Sequence, residues 1–324
     1  MKSNHTSPLE VYFVGFGSQG RAWANCLKHS GWNVRIFLHQ KGKSFEEAQR
    51  LGFEPQLLEN LPQTLQSLSP QTHPILIALL CPDSLIGEIY QTILSPLSQL
   101  PLSLILAHGY ASYSGDLKPQ NPLHSVCLLA PKAIGPKLEA AFFNAQSLQP
   151  QKVSPSPTHD LVAGFYAPED RKGQIQQLAK AMGFSENHLV STTLEQEAIG
   201  DLISEQGLLC GGMFTLLEWT MEAMAKAGIP DALIREECLR ELELISGLMR
   251  EKGPATTFHK ISQAAQCGTL EMRKRFLNSS LPQEFQKQVE EVLNKNFVKK
   301  FKSNEWKKEA SDFYATLKKW EDRL

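Results

Sequence analysis

Four carboxylates have the spacing from which a catalytic centre could be built. Asp201 and Glu205 stand four apart in DLISEQ, and Glu237 and Glu241 repeat that interval in ECLRE. On a helix each pair shares one face. Apolar residues border both pairs: Leu202, Ile203, Leu208 and Leu209 beside the first, Cys238, Leu239, Leu242 and Leu244 beside the second. Carboxylates held against an apolar seam repel one another and lose solvation unless a cation compensates. Four such oxygen donors converging from two helices would hold hard divalent ions, best Mg²⁺, as a two-ion site. Spacing alone leaves a plainer reading open, in which Glu236, Arg240 and Glu243 knit the same helix into a solvated surface network.

A second constellation lies near the start of the chain. VYFVGFGSQGRAWA places Gly15, Gly17 and Gly20 directly after an apolar run and before a helical one, with Phe16, Ser18 and Gln19 between them. Gly15 permits a tight turn, Gly17 lets a pyrophosphate approach the backbone, and Gly20 allows helix to pack closely on strand. The pattern predicts dinucleotide binding; glycines serving a turn alone are the alternative. At the end of the next apolar run the residues are FLHQKGKSF, with His39, Lys41, Lys43 and Ser44 and no carboxylate before Glu46. An acidic residue there would accept from the ribose hydroxyls of NAD, whereas a basic, hydroxyl-bearing loop suits the 2'-phosphate of NADPH. Solvated loop lysines would look the same in sequence. His108, in LILAHGY, and Lys132, in LLAPK, each follow an apolar run, at the strand ends where open α/β sheets bind ligands. A core histidine and a surface lysine are their plain alternatives.

These groups need elements to position them. Apolar runs at 11–14, 34–37, 75–80, 103–107, 125–129 and near 161–166 read as strands buried on both faces, with crossover helices such as 45–51 and 86–92 between them. The expectation is a Rossmann-type parallel sheet over 1–190. Proline-rich stretches at 68–74, 118–122 and 148–157 read as loops. Beyond about Ser191 the period changes to helical over 194–227, 231–249 and 285–293, broken at Gly228, Pro230, Gly253 and Pro254. An all-helical domain over 191–324 is therefore expected. Its basic-then-mixed tail, with Phe301, Trp306, Phe313, Tyr314 and Trp320, reads as a peripheral helix or arm.

Composition narrows the class further. With 324 residues, 42% hydrophobic and 21% charged, the chain is an ordinary globular protein large enough for two domains. A net charge of -1 offers no general attraction to nucleic acid or to an anionic membrane. No apolar run reaches membrane-spanning length, and MKSNHTSPLE lacks the apolar core of a secretion signal. Six scattered cysteines without a CxxC pair read as buried thiols of a reducing compartment. The cytoplasm is the expected location.

Taken in order, these pieces resemble the ketol-acid reductoisomerases. VGFGSQGRAWA, AHGY, LLAPK, DLISEQGLLCGG, EECLRELELISGL, ISQAAQCG and NKNFVKKF span most of 11–301 in the family's order. The length is similar to the short form of the family, with one helical unit. The resemblance implies that Asp201, Glu205, Glu237 and Glu241 hold two Mg²⁺ ions. It implies that Ser262 contacts the substrate carboxylate, that Lys132 lies beside the active site, and that His108 lies near the nicotinamide. It further implies a homodimer or higher homo-oligomer in which the second carboxylate pair comes from the partner subunit, and a knotted helical domain intertwined across the dimer. The implied reaction belongs to branched-chain amino acid biosynthesis. A 2-hydroxy-2-alkyl-3-keto acid such as 2-acetolactate undergoes alkyl migration, with Glu241 assisting proton transfer, and NADPH reduces the product to a 2,3-dihydroxy acid.

Some positions depart from the family pattern. Arg21 stands where a histidine usually follows the last glycine, and Gly200 where a threonine precedes the first metal aspartate. Gln263, Ala264, Gln266 and Cys267 replace Asn, Thr, Glu and Tyr, and Ala133-Ile134-Gly135-Pro136 replaces a GPGH-like loop. Loss of a glutamate at Gln266 alters the charge balance around the substrate carboxylate. These changes keep two alternatives in view: an NADPH-dependent reductase of another 2-keto or hydroxy acid, and a non-catalytic binding homologue.

Overall fold

Runs rich in β-branched, leucine and aromatic residues set the sheet. The computed structural model describes residues 9–68, 73–147 and 159–324. The N-terminal residues read above for a leader, the expected loop at 148–157 and most of the one at 68–74 lie outside the described residues. Eight strands, β1 (Glu10–Val14), β2 (Asn33–Leu38), β3 (Gln56–Leu57), β4 (Ile75–Leu79), β5 (Leu102–Leu106), β6 (His124–Pro131), β7 (Ala163–Tyr166) and β8 (Leu189–Ser191), form one sheet. Their order is β3-β2-β1-β4-β5-β6-β7-β8. The chain leaves β1 toward β2 and β3, then crosses to the other side of β1 for β4. That reversal opens a crevice at the carboxyl ends of β1 and β4.

The expected wholly parallel sheet needs one correction. β7 runs antiparallel to β6, with Leu128 opposite Tyr166 and Leu129 opposite Phe165. A strand buried on both faces shows the same apolar run whichever way it points, so periodicity carries no directional signal there. The short β3 and β8 also lacked a strand-length apolar run.

Helices α1 (Ser18–His29), α2 (Lys43–Arg50), α3 (Leu61–Gln66), α4 (Asp83–Ile89), α5 (Tyr110–Tyr113), α6 (Gly135–Ser147) and α7 (Glu169–Ala181) complete the α/β layer. Successive strand residues point to opposite faces, and the core divides accordingly. Val11, Phe13, Ile36, Ala78 and Ile105 join one cluster with Trp23 and Leu27 of α1. Tyr12, Val14, Phe37, Ile77 and Leu104 join the other with Leu61 and Leu65 of α3.

The chain divides into two compact units, 1–198 and 199–324. The second is all-helical. It takes in the end of α8 (Leu194–Ser204), a π turn at Glu205–Leu209, α9 (Gly211–Lys226), α10 (Asp231–Arg235), a π turn at Glu236–Arg240 and α11 (Glu241–Lys252). α12 (Pro254–Lys260), α13 (Gln263–Leu277), α14 (Leu281–Leu293), α15 (Asn296–Ser303) and α16 (Trp306–Arg323) follow. The tail is thus helical. Trp320 and Leu324 pack on Met221, Ile234 and Cys238, and Arg323 forks onto both carboxylate oxygens of Asp231 at 2.9 Å. Of the cysteines expected to be buried, Cys26, Cys127 and Cys238 are, and Cys81 is partly so. Cys210, the N-cap residue of α9, and Cys267, on α13, are exposed. No helix among the described residues is long and apolar enough to cross a membrane.

Candidate functional site

The crevice between β1 and β4 is a cleft of about 940 Å³. Gly15, Phe16, Gly17, Ser18 and Gln19 form its floor after β1, His39, Gln40 and Ser44 line it after β2, and Pro82, Asp83 and His108 after β4 and β5. Gly15 has φ +105°, and a Cβ there would lie 2.5 Å from the Leu80 carbonyl oxygen, so only glycine fits. At Gly20 a Cβ would meet the Gly15 carbonyl oxygen at 3.1 Å, which is the close helix-on-strand approach its position predicts. Gln19 donates from Nε2 to the Ala133 carbonyl at 2.8 Å, while its Oε1 is buried without a hydrogen-bond partner. A buried acceptor left open in a cleft of this shape fits a bound cofactor. Of the residues expected at the cofactor, Lys41 and Lys43 are exposed and lie outside this cleft, whereas Gln40 lines it.

A charged cluster sits at the other end. Glu197, with its side chain 2% exposed, accepts from Lys132 Nζ at 2.6 Å and from the Gly109 backbone N–H at 2.7 Å. His108 Nε2 lies 4.0 Å from the same carboxylate, and its ring stacks on Tyr110. Burial raises the Asp83 carboxyl above the usual range, with the nearby His108 charge opposing that shift and Glu197 adding to it. The structure therefore brings His108 and Lys132 together through Glu197. Neither Glu197 nor Asp83 was singled out from sequence. The interval of four that joins Asp201 to Glu205 also runs backward from Asp201 to Glu197, and that signal could have found it. Cys81, at the cleft wall, has its thiol pushed up to about 12 by burial, which leaves it inert rather than nucleophilic.

In the helical unit, Asp201 is half-buried on α8, and Glu205, Glu237 and Glu241 are exposed. Glu205 opens the first π turn, where Cys210 N–H donates to its carbonyl at 2.8 Å, and Glu237 lies in the second, with Glu241 directly after it. π turns are rare and concentrate at functional sites. Among the described residues no three His, Cys, Asp or Glu side chains gather into a metal-sized group. The donor types of the four carboxylates fit Mg²⁺. Ser262 is the N-cap of α13, its Oγ accepting from Ala265 N–H at 3.2 Å.

Residues 7–151 match the family model described as acetohydroxy acid isomeroreductase, NADPH-binding domain. Residues 194–323 match that of the ketol-acid reductoisomerase C-terminal domain. A curated relative, the ketol-acid reductoisomerase (NADP(+)) of Sulfurimonas denitrificans, is 29% identical over 293 residues, 90% of this chain and 81% of the relative. A solved NADH-preferring ketol-acid reductoisomerase from an uncultured archean superposes with a TM-score of 0.76 at 24% identity, over 96% of this chain and 89% of the other. A semialdehyde dehydrogenase NAD-binding protein from Cupriavidus necator shares the fold at 15% identity, with a TM-score of 0.57 over 89% of this chain and 99% of that one.

Proposed function

This chain belongs to the ketol-acid reductoisomerase family, and from that membership we infer that it rearranges a 2-hydroxy-2-alkyl-3-keto acid such as 2-acetolactate by alkyl migration and reduces the product with NADPH. The 2,3-dihydroxy acid that results belongs to branched-chain amino acid biosynthesis. The observation that carries the reading is a cleft that brings together the glycine loop, the β2 loop and His108.

When bound, NADPH supplies the hydride and Mg²⁺ the Lewis acidity that polarises hydroxyl and carbonyl oxygens. Gly15, Gly17 and Ser18 cradle the pyrophosphate, and Gln19 orients the loop by its bond to Ala133. His39 and Ser44 lie at the ribose end of the cleft, His108 at the nicotinamide end. Glu197 fixes the Lys132 ammonium in one position, where it donates to substrate oxygen. Ser262 binds the substrate carboxylate, and Glu241 moves the proton released as the alkyl group shifts.

The same reading extends to the assembly. Asp201 and Glu205 of one chain join Glu237 and Glu241 of a second copy to hold two Mg²⁺ ions, and the helical units intertwine as a knotted homodimer. One observation supports this: the helical unit exposes large apolar side chains, Leu208, Trp219 and Leu244 among them. The scattered, unpaired cysteines fit a cytoplasmic location.

The test is turnover of 2-acetolactate by the full chain with NADPH, with and without added Mg²⁺. Magnesium-dependent formation of the dihydroxy acid is expected. A folded, NADPH-binding protein that reduces a 2-keto acid without isomerising acetolactate would overturn the assignment in favour of a simple reductase.

A further inference from the structure

Between Lys132 and the start of α6 stand Ala133 and Ile134. The Ile134 side chain is 66% exposed, so the large apolar residue of this loop does not anchor it. Polar contacts hold it instead. On one side the Lys132 backbone N–H donates to the Val162 carbonyl at 2.8 Å. On the other, Gln19 Nε2 from the first turn of α1 donates to the Ala133 carbonyl at 2.8 Å. Gly135, which opens α6, lies so close to α1 that a Cβ there would sit 2.2 Å from the Ser18 carbonyl oxygen, and only glycine fits.

α1 and α6 stay paired beyond this point. Asn25 Nδ2 donates to Glu139 at 2.8 Å, and Ala22, Trp23 and Cys26 share a buried cluster with Leu138 and Phe142. Packing of that density resists gradual deformation, so the 133–135 loop and the glycine loop hold one spacing. At the far end Glu197 holds the Lys132 ammonium at 2.6 Å. A shift of the Ala133 peptide would move the Lys132 backbone and pull against that ion pair. Gln19 also lines the cofactor cleft. One side chain therefore touches both the space for the dinucleotide and the peptide next to the lysine.

We propose that Gln19 is a positioning residue for Lys132: its amide ties the strand end that carries the lysine to the glycine loop, and so sets the spacing between the ammonium and the cofactor. This rests on the reading that Lys132 donates to substrate oxygen beside NADPH. It goes beyond the holding of phosphate, because the amide's N–H is engaged by the peptide that follows the lysine. A glutamine that only shaped the glycine loop would change cofactor affinity and leave the lysine as it was.

Two measurements on the full chain test this with Gln19→Met, which keeps the side-chain length and loses the amide. The first compares NADPH affinity, by nicotinamide fluorescence, with turnover of 2-acetolactate in Mg²⁺ at saturating NADPH. Affinity should weaken by about fivefold at most, the scale of one neutral hydrogen bond. The kcat at saturation should fall by about tenfold or more, because a misplaced group loses its approach to substrate. A loss confined to NADPH affinity, with kcat at the wild-type value, overturns the positioning role. The second measurement needs neither cofactor nor turnover. The drop in urea midpoint caused by Lys132→Met is compared in the wild-type and Gln19→Met proteins. If Gln19 holds the lysine on Glu197, that drop should shrink by about half or more in the variant; an equal drop in both overturns the role. Gln19→Glu sets a carboxylate against the Ala133 carbonyl and serves as a second variant, expected to lower kcat further than methionine does. Wild-type protein that binds NADPH but leaves 2-acetolactate unchanged would sink the proposed function instead, while the urea comparison still decides whether Gln19 sets Lys132.

Discussion

Glu197 shows how much of the candidate site depends on one buried charge. Its carboxylate is almost fully enclosed and is compensated by Lys132 and the Gly109 N–H. Removing Lys132 leaves that charge short of a partner. Lys132 is itself 39% exposed, so screening reduces the cost to ~1–2 kcal/mol, below that of a fully buried pair. Lys132→Met should therefore lower the melting temperature measurably, and Glu197→Gln placed on top of it should recover most of that loss while turnover stays abolished. A double variant as unstable as Lys132→Met alone would mean that the pair does not act as a unit. The sequence already pointed to His108 and Lys132 as strand-end residues but not to the group that links them, because periodicity marks which face a residue occupies and not what it touches. Lys41 is the same lesson reversed. Residue type favoured it and Lys43 equally, and only the backbone path after β2 separates Lys41, which lines neither the cofactor cleft nor a smaller cavity there of about 420 Å³, from Lys43, which lines the smaller one.

At the scale of the element, strand positions were the most legible feature. β1 and β4 are apolar on both faces and bounded by breakers, so hydrophobic runs alone locate them. The direction of β7 and the π turns were not legible, since one extra residue in a helical turn leaves the apolar spacing nearly unchanged. The histidines inside the α/β unit give an element-scale test. His159 donates from Nε2 to the Met182 carbonyl at 3.1 Å, and its Nδ1 accepts from Leu161 N–H at 3.3 Å, so the neutral ring satisfies both partners. Burial holds its pKa below the ordinary 6.5, and burial does the same for His124. A depressed histidine pKa contributes stability that is present above about pH 6.5 and is lost as pH falls through the lower folded value. Melting temperature should fall between pH 7 and pH 5 by more than carboxylate titration alone would cause, and His159→Gln should flatten that fall. An identical pH profile for the variant would remove His159 as a cause. Ser262→Ala should cost ~1 kcal/mol through loss of the α13 cap; a loss of turnover much larger than that stability change would reveal the substrate contact.

At the scale of the whole molecule, the two units are built differently. The α/β unit buries both faces of its sheet, whereas Leu208, Trp219, Leu244, Leu277 and Leu293 of the helical unit are each more than half exposed. Single exposed leucines need no explanation, but this many on one small unit are what the proposed dimer would cover. An isologous dimer would place each chain's carboxylate pairs against its partner's, so that residue i meets j and j meets i. That symmetry makes a prediction no single-chain account shares. Asp201→Asn and Glu237→Gln should each abolish turnover as homodimers, because every site then lacks one acidic ligand. Co-expressed with two different tags and purified through both, the mixed dimer holds one site with both defects and one with neither. It should regain a substantial fraction of wild-type turnover, with magnesium dependence restored. If each chain instead builds its whole metal site alone, both sites of the mixed dimer carry one defect and it stays as inactive as its parents. Tandem purification that recovers no mixed species from a mixture of wild-type chains would show that no dimer forms, and the shared-site arrangement would fall with it.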